Sequence, residues 1–410
     1  MSFSPSPRAA AHAIWRTLPA GPRRAALARV TAALAPKPDR VAPPSTGGLA
    51  VAGELSRTSG LGESARLILS GLRELGVATA ALDIGDAVTG QRSAVTVPPQ
   101  GMPLLLHVNA PTLPLALLRA PRGLLRGRRV IGYWAWELPA MPPSWRPGLG
   151  FVHEIWVLSR FTADAVRTLL LPGSPIAVKV VPPPVALVPP RPSLLRRADF
   201  GLPDDSVITF VSFSLASSFA RKNPLAAIAS HRRAFGTRAD RVLVIKAGHA
   251  DAHAKDFAIL REAAADLPNV RFETRMFGDA DRHALTACAD IVLSLHRSEG
   301  LGLVPAEAML LGLPVVATGW SATAEFMDET CARLIDYRLV PARDPRAVFE
   351  APDAVWAEAD VDHAASALVE LADDPALRLR LGTAARAMAT ARLGVAPLAE
   401  AVRALGGAAR

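Results

Sequence analysis

The sequence predicts an α/β protein in which two doubly wound, Rossmann-like parallel-sheet domains face each other across a cleft. Two observations carry that prediction. Short β-type runs alternate with helical stretches in two successive series, and a proline-dense segment separates the series. The chain of 410 residues, half of them apolar and one fifth charged, has the length for two or three domains and enough apolar side chains for a sizeable core.

Residues 1–48 hold seven basic side chains against the single acidic Asp39, without the continuous apolar region of a secretory signal. They read as a basic, Pro-rich tail in which 9–18, with Trp15, and 23–34 have the composition of short amphipathic helices. The first β series follows at 49–54, 79–84, 103–109, 130–136, 154–159 and 178–181, defining an N-terminal domain over 49–181. Six prolines in the eleven positions 182–192 suit neither a helix nor an interior strand, so 182–198 reads as a semi-rigid linker. The second series, at 208–213, 242–247, 270–273, 291–295, 315–318 and 332–336, defines a C-terminal domain over 199–385. The Ala/Leu/Arg-rich stretch 386–410 reads as a C-terminal helix that packs back on either domain. No apolar run reaches the roughly 18 residues that span a bilayer. Two cysteines, Cys288 and Cys331, exclude a disulfide framework and favour a reducing compartment.

The net charge of +9 is unevenly placed. Residues 1–200 hold 23 Lys and Arg against 10 Asp and Glu, whereas the remainder is slightly acidic. A basic half points to a polyanion. Between 112 and 130, five arginines alternate with leucines, a pattern suited to an anionic lipid interface, whereas the aromatic interleaving of a nucleic-acid surface is missing. The same composition also describes a solvated Arg-rich helix.

Chemistry concentrates in 294–318. A strand ends near Leu295. The loop His296-Arg297-Ser298-Glu299-Gly300-Leu301-Gly302-Leu303-Val304 then leads into a helix expected to open at Pro305 and to stop at Gly312, with Pro314 beyond it. Glu299 precedes that helix and Glu307 is expected in its first turn. Gly300 and Gly302 let backbone approach a ligand, and the free N–H groups at the helix start favour an anion such as a diphosphate. A second cluster, Ser217-Ser218-Phe219-Ala220-Arg221-Lys222-Asn223-Pro224, sets two cations before a helix, suited to neutralising a diphosphate. In the first domain, Gly60-Leu61-Gly62-Glu63 opens a helix. It is not a dinucleotide fingerprint, because Ala65 stands at the third glycine position. His107 and Asn109 end a strand that aims at the cleft, and Glu137 is an acceptor-side carboxylate or a surface charge. Asp279-Ala280-Asp281, His249, Asp251 and His253 complete no metal-ligand set, so no metal site is expected.

The stretch from Phe277 to Gly319, with Ser294-Leu295-His296-Arg297-Ser298-Glu299-Gly300-Leu301-Gly302-Leu303, Ala306-Glu307-Ala308-Met309 and Gly312-Leu313-Pro314 at its centre, resembles the glycosyltransferase family 4 group of the GT-B fold. That group is marked by two glutamates separated by seven residues. Ser217 to Pro224, the Gly60–Gly62 loop, Trp136-Glu137, Glu154-Ile155-Trp156 and Ser159-Arg160-Phe161 resemble a subgroup. The resemblance implies that Glu299 meets donor-sugar hydroxyls, that Glu307 meets the nucleotide ribose, and that the amides of Gly300, Leu301, Gly302 and Leu303, with Ser217, serve the donor phosphates. It assigns charge stabilisation to Arg221 and Lys222 and the acceptor side to Gly60, Gly62 and Glu137, where His107 or Asn109 would orient an acceptor hydroxyl. Leu301 stands where members often have an aromatic, Ser214 where they often have Asp, and Ala322-Thr323 where the subgroup has Gly-Asn.

The expected activity is retaining transfer of a hexose such as mannose from a nucleotide diphosphate sugar, with no cofactor or metal required. The acceptor would be a glycan or lipid-linked species of bacterial envelope or polysaccharide assembly. The expected setting is the cytoplasm, at the inner face of the plasma membrane if the lipid contact holds. The alternatives are an epimerase or phosphorylase of the same fold, or a non-catalytic member that binds a partner or anionic lipid.

Overall fold

The computed structural model describes residues 20–406 apart from 350 and 352. The expected 9–18 helix and Trp15 lie outside the described residues. Twelve strands fall where the apolar runs predict them and form two six-stranded parallel sheets. The first contains β1 (Leu49–Gly53), β2 (Thr79–Asp83), β3 (Leu104–His107), β4 (Val130–Trp134), β5 (Glu154–Val157) and β6 (Ala177–Val180), ordered β2-β1-β3-β4-β5-β6. The second contains β7 (Val207–Ser214), β8 (Arg241–Gly248), β9 (Val270–Glu273), β10 (Ile291–Ser294), β11 (Val315–Thr318) and β12 (Arg333–Ile335), ordered β12-β11-β10-β7-β8-β9. Strands buried on both faces are near-continuous Val, Ile and Leu, as expected where helices cover both sides of a sheet. Crevices form where strand order reverses, outside the carboxyl ends of the strands, and such crevices bind ligands.

An antiparallel hairpin, β13 (Tyr337–Pro341) with β14 (Val355–Ala359), is added after β12. Sequence periodicity does not reveal it.

The helix Pro375–Arg392 leads into Ala396–Arg403, which returns to the first domain and packs on the helix Gly60–Glu74. Leu398 and Val402 are fully buried there in one core cluster with Ile68 and Leu72.

The lipid-facing reading of 112–130 is corrected. Leu113, Leu117, Leu124 and Leu125 are buried in the core of the first domain. Arg128 is buried too, donating to the carbonyls of Pro98, Pro99 and Met102. The alternation thus records a surface helix and loop folded over their own core. Leu118 is exposed, as are Leu27, Val30 and Leu34 on the helix Ala20–Leu34. No helix among the described residues is long and apolar enough to cross a membrane.

Three histidines are neutral at pH 7, because burial lowers His107, His231 and His296 from 6.5 to about 4. A folded-state value below the unfolded one means that unfolding takes up protons between the two. The stability these groups contribute is therefore complete above pH 6.5 and lost as pH falls toward 4. Denaturation midpoints measured from pH 7 to 4 should fall most steeply in that window, and His231→Leu should reduce the slope. An unchanged slope in that variant would contradict the assignment.

Candidate functional site

A cavity of about 500 Å³ lies between the two domains, at the carboxyl ends of β7, β8 and β10. The first domain supplies Gly60, Ala135, Glu137 and Leu158, and the second supplies Ser217, Arg221, Lys222, His249 and the run Glu299 to Val304.

Local sequence builds each wall. Beyond β7, the Ser218 hydroxyl caps the single helical turn Phe219–Lys222 by accepting from Arg221 N at 3.1 Å. Asn223 ends the turn in the left-handed region at φ 51°, and Pro224 opens the next helix at its first position. Arg221 and Lys222 are thereby held at the rim. Beyond β10, the loop ends at Gly302, whose φ of 96° is strained for any side chain and whose missing Cβ would lie 2.5 Å from Thr323 Cγ2. The helix then begins at Leu303 rather than at Pro305. Proline is still tolerated, because its absent N–H belongs to the unpaired first turn. Glu307 consequently sits in the second helical turn, not in the first.

Glu299 is the electrostatic centre. It is buried, ion-paired with Lys222 and 3.1 Å from Arg221 Nη1. Burial alone would raise its carboxyl, but Lys222 and Arg221 beside it hold it at about 2. Arg221 is itself buried and grips four groups. Nη1 donates to Ser298 O at 2.7 Å and pairs with Glu299, while Nη2 donates to Ser217 Oγ at 3.1 Å and lies 3.9 Å from Glu137 Oε1. Burial pushes the Glu137 carboxyl above its ordinary range, against the pull of Arg221. The domains are joined at this point, since the Ser298 hydroxyl donates to Glu137 O and the Ser159 hydroxyl donates to Gly300 O at 2.7 Å.

Glu307 lines a second cavity of about 270 Å³ with Glu63, Arg191, Arg282 and His283. Both cavities are lined by the helices that begin at Gly60 and Leu303, one at their starts and the other at Glu63, Leu67 and Glu307. Burial would raise Glu307 as well, yet His283 and the ion-paired Arg282 hold it below the usual carboxylate range.

The structure thus brings together Glu299, Arg221, Lys222, Ser217, Gly300, Leu301, Gly302, Leu303, Gly60 and Glu137. It does not bring His107 to the cavity. That ring is buried, stacked on Tyr133 at 4.4 Å, with Nε2 3.0 Å from Ser64 Oγ. Asn109 stands behind the wall, where its Oδ1 accepts from Ala135 N at 2.9 Å and steadies the segment leading to Glu137. Gly62 is a packing glycine, since a Cβ there would meet Arg57 O at 2.4 Å.

Sequence reasoning missed His249, which lines the cavity in the left-handed region at φ 61° with Nδ1 2.9 Å from Ser214 Oγ. A polar residue directly after β8 was the available signal. It also missed Arg282, whose only sequence signal is its place in the helix Asp279–Ala287.

Two parallel-sheet domains with a charged groove between them define the GT-B glycosyltransferase architecture. Residues 222–358 match the family model for glycosyl transferases group 1, so this segment carries the family's sequence pattern on that frame. Among solved structures, sucrose-phosphate synthase from Thermosynechococcus elongatus is similar in fold, with a TM-score of 0.62 at 15% identity over 88% of this chain and 99% of the other. HepE of Anabaena in complex with UDP and glucose gives 0.60 at 12% identity, over 88% and 99%. The lipopolysaccharide-biosynthesis glycosyltransferase WaaG gives 0.52 at 17% identity, over 88% and 100%. No curated protein matches the sequence.

Proposed function

We propose that the protein is a retaining glycosyltransferase that moves a hexose from a nucleotide diphosphate sugar to a glycan or lipid-linked acceptor. The observation that carries this reading is the buried Glu299 held ionised between Arg221 and Lys222 at the mouth of the groove. The family-model match over 222–358 and the likeness to HepE, whose structure holds UDP and glucose, support the same reading.

In it, residues 199–385 bind the donor and 49–181 receive the acceptor, with 182–198 linking them. The sugar sits beside Glu299, which accepts its hydroxyls. The diphosphate lies along the amides from Gly300 to Leu303, near Lys222 and Ser217, and the ribose reaches Glu307 in the adjoining cavity. Arg221 fixes Glu299 more than it meets the phosphates, because its fork is already occupied. Lys222 and the first-turn amides balance charge on the departing diphosphate, so no step requires a metal. The acceptor hydroxyl attacks from the face the diphosphate leaves, giving its proton to the leaving phosphate. Oxygen of the acceptor thus replaces oxygen of the phosphate at the anomeric carbon, with retention. Glu137 faces the acceptor. His107 has no part in proton transfer.

A nucleotide sugar donor implies the cytoplasm, and envelope or polysaccharide assembly is the setting we infer. For contact with an anionic membrane, the exposed Leu27, Val30, Leu34 and Leu118 offer apolar groups.

A ligand that binds only the folded state raises its melting temperature. UDP, GDP and their hexose conjugates should therefore separate in a thermal-shift screen, with one nucleotide raising the melting temperature by several degrees. Glu307→Ala should weaken that nucleotide about tenfold or more in calorimetry. The reading is lost if no nucleotide sugar binds. Conversion of the donor without acceptor would instead identify an epimerase.

A further inference from the structure

The hairpin β13–β14 and its connecting loop touch both charged segments of the groove and also enter the core of the opposite domain. Glu358 on β14 accepts from Asn223 Nδ2 at 3.2 Å, where the Arg221–Lys222 turn ends, and pairs with Arg297 at 2.6 Å, two residues before Glu299. In the connecting loop, the buried Asp344 accepts from the Ser218 hydroxyl at 3.2 Å and from the backbone N–H groups of Val348 and Phe349 at 3.0 and 3.2 Å. Those bonds hold a tight turn in which Ala347 takes the left-handed conformation at φ 53°, a strain that persists only where surroundings fix it. The turn delivers Phe349, whose ring lies 5.0 Å from the Arg221 guanidinium and 5.4 Å from Trp136 in the first domain's core.

We propose that this hairpin is a positioning strap: Asp344, Phe349 and Glu358 register the Arg221–Lys222 turn against the Glu299 loop and seat both against the first domain. None of the three lines either cavity. They act through Arg221, Asn223 and Arg297, and the inference rests on the glycosyltransferase reading for its kinetic consequence only. The anchors fall on both charged segments, and the aromatic ring over a buried guanidinium fixes the plane of the fork that holds Glu299.

The test compares Asp344→Ala, Phe349→Ala and Phe349→Tyr with the full-length protein by amide hydrogen exchange. Exchange in 217–224 and 296–303 should accelerate at least tenfold in both alanine variants while β1, β3 and β8 keep their protection, and Phe349→Tyr should restore it. With UDP and the nucleotide sugar found by thermal shift, kcat should fall at least tenfold in the alanine variants and UDP should bind more weakly, because Ser217, Lys222 and the 300–303 amides line that cavity, while Phe349→Tyr should keep both near wild type. Unchanged exchange in the two segments overturns the proposal whatever the protein transfers. Equal loss of protection throughout both sheets also overturns it, by reducing the hairpin to a stability element. Wild-type protein that turns over no nucleotide sugar would end the functional reading while leaving the exchange result to decide the strap. Should Phe349→Ala not fold, Asp344→Ala, which empties no aromatic site, decides alone.

Discussion

Glu299→Gln should lower turnover by about 100-fold or more, in line with the removal of one preorganised electrostatic contact from an active site. It should also cost about 3 kcal/mol of stability, because Arg221 and Lys222 keep their charges in a buried place after their counter-ion has gone. The two effects are separable by pH. The Glu299 carboxyl is held at about 2 in the folded protein against 4.5 in a free chain, so its stabilising contribution is complete above pH 4.5 and disappears as pH falls through 2. The stability gap between wild type and variant should therefore be constant from pH 8 to 5 and close below pH 3, whereas the turnover gap should persist across pH 5 to 8. Denaturant titrations at three pH values measure the first, and initial rates measure the second. A variant of wild-type activity removes Glu299 from the mechanism.

Arg221 should be the least replaceable side chain of the groove. Arg221→Met leaves Glu299 and Glu137 close together without the cation that lies between them, and breaking such a buried cluster costs about 3–5 kcal/mol. Glu137, already pushed up by burial, would rise further without that cation, so the stability of the variant should gain on the wild type's as pH falls. Arg221→Lys should not rescue it. Four partners are met by two terminal nitrogens in one plane, and an ammonium has no such geometry. Equilibrium unfolding of the two variants between pH 8 and 5 checks the ordering. Arg221→Lys with wild-type stability and turnover would show that the fork is dispensable.

The central parallel strands, such as β1, β3 and β4, were legible because each is a short apolar run buried on both faces, and the half-buried outer strands β2, β6, β9 and β12 were placed by their spacing in the same series. The hairpin was not, for a related reason. Residues Tyr337, Arg338 and Leu339 are exposed and Val340 only half-buried, so β13 lacks the alternation of a half-buried strand, and only Asp336 separates it from β12. Its role is set by Asp344, Phe349 and Glu358, which meet residues 61 or more positions earlier in the chain. No local pattern announces such contacts. The site residues on the second sheet were found because cap, glycine and charge lie together in sequence. His107 shows the limit. Its place at the end of β3 is readable, but the face of the sheet that receives its side chain is decided by packing, and Tyr133 and Ser64 receive it. The leucines of 112–130 show it again: an amphipathic pattern says that an apolar face is covered without saying by what.

The return of Ala396–Arg403 to the helix Gly60–Glu74 has a consequence during synthesis. Leu398 and Val402 complete a layer over Ile68 and Leu72, and the carbonyl of Leu393 receives Ala186 N at 3.0 Å. The half of the protein that emerges from the ribosome first therefore keeps an oily face bare until the stretch 393–405 has also emerged. For as long as translation of the intervening 200 or so residues takes, at about 5–20 residues per second, that face is open to chaperones and to neighbouring nascent chains.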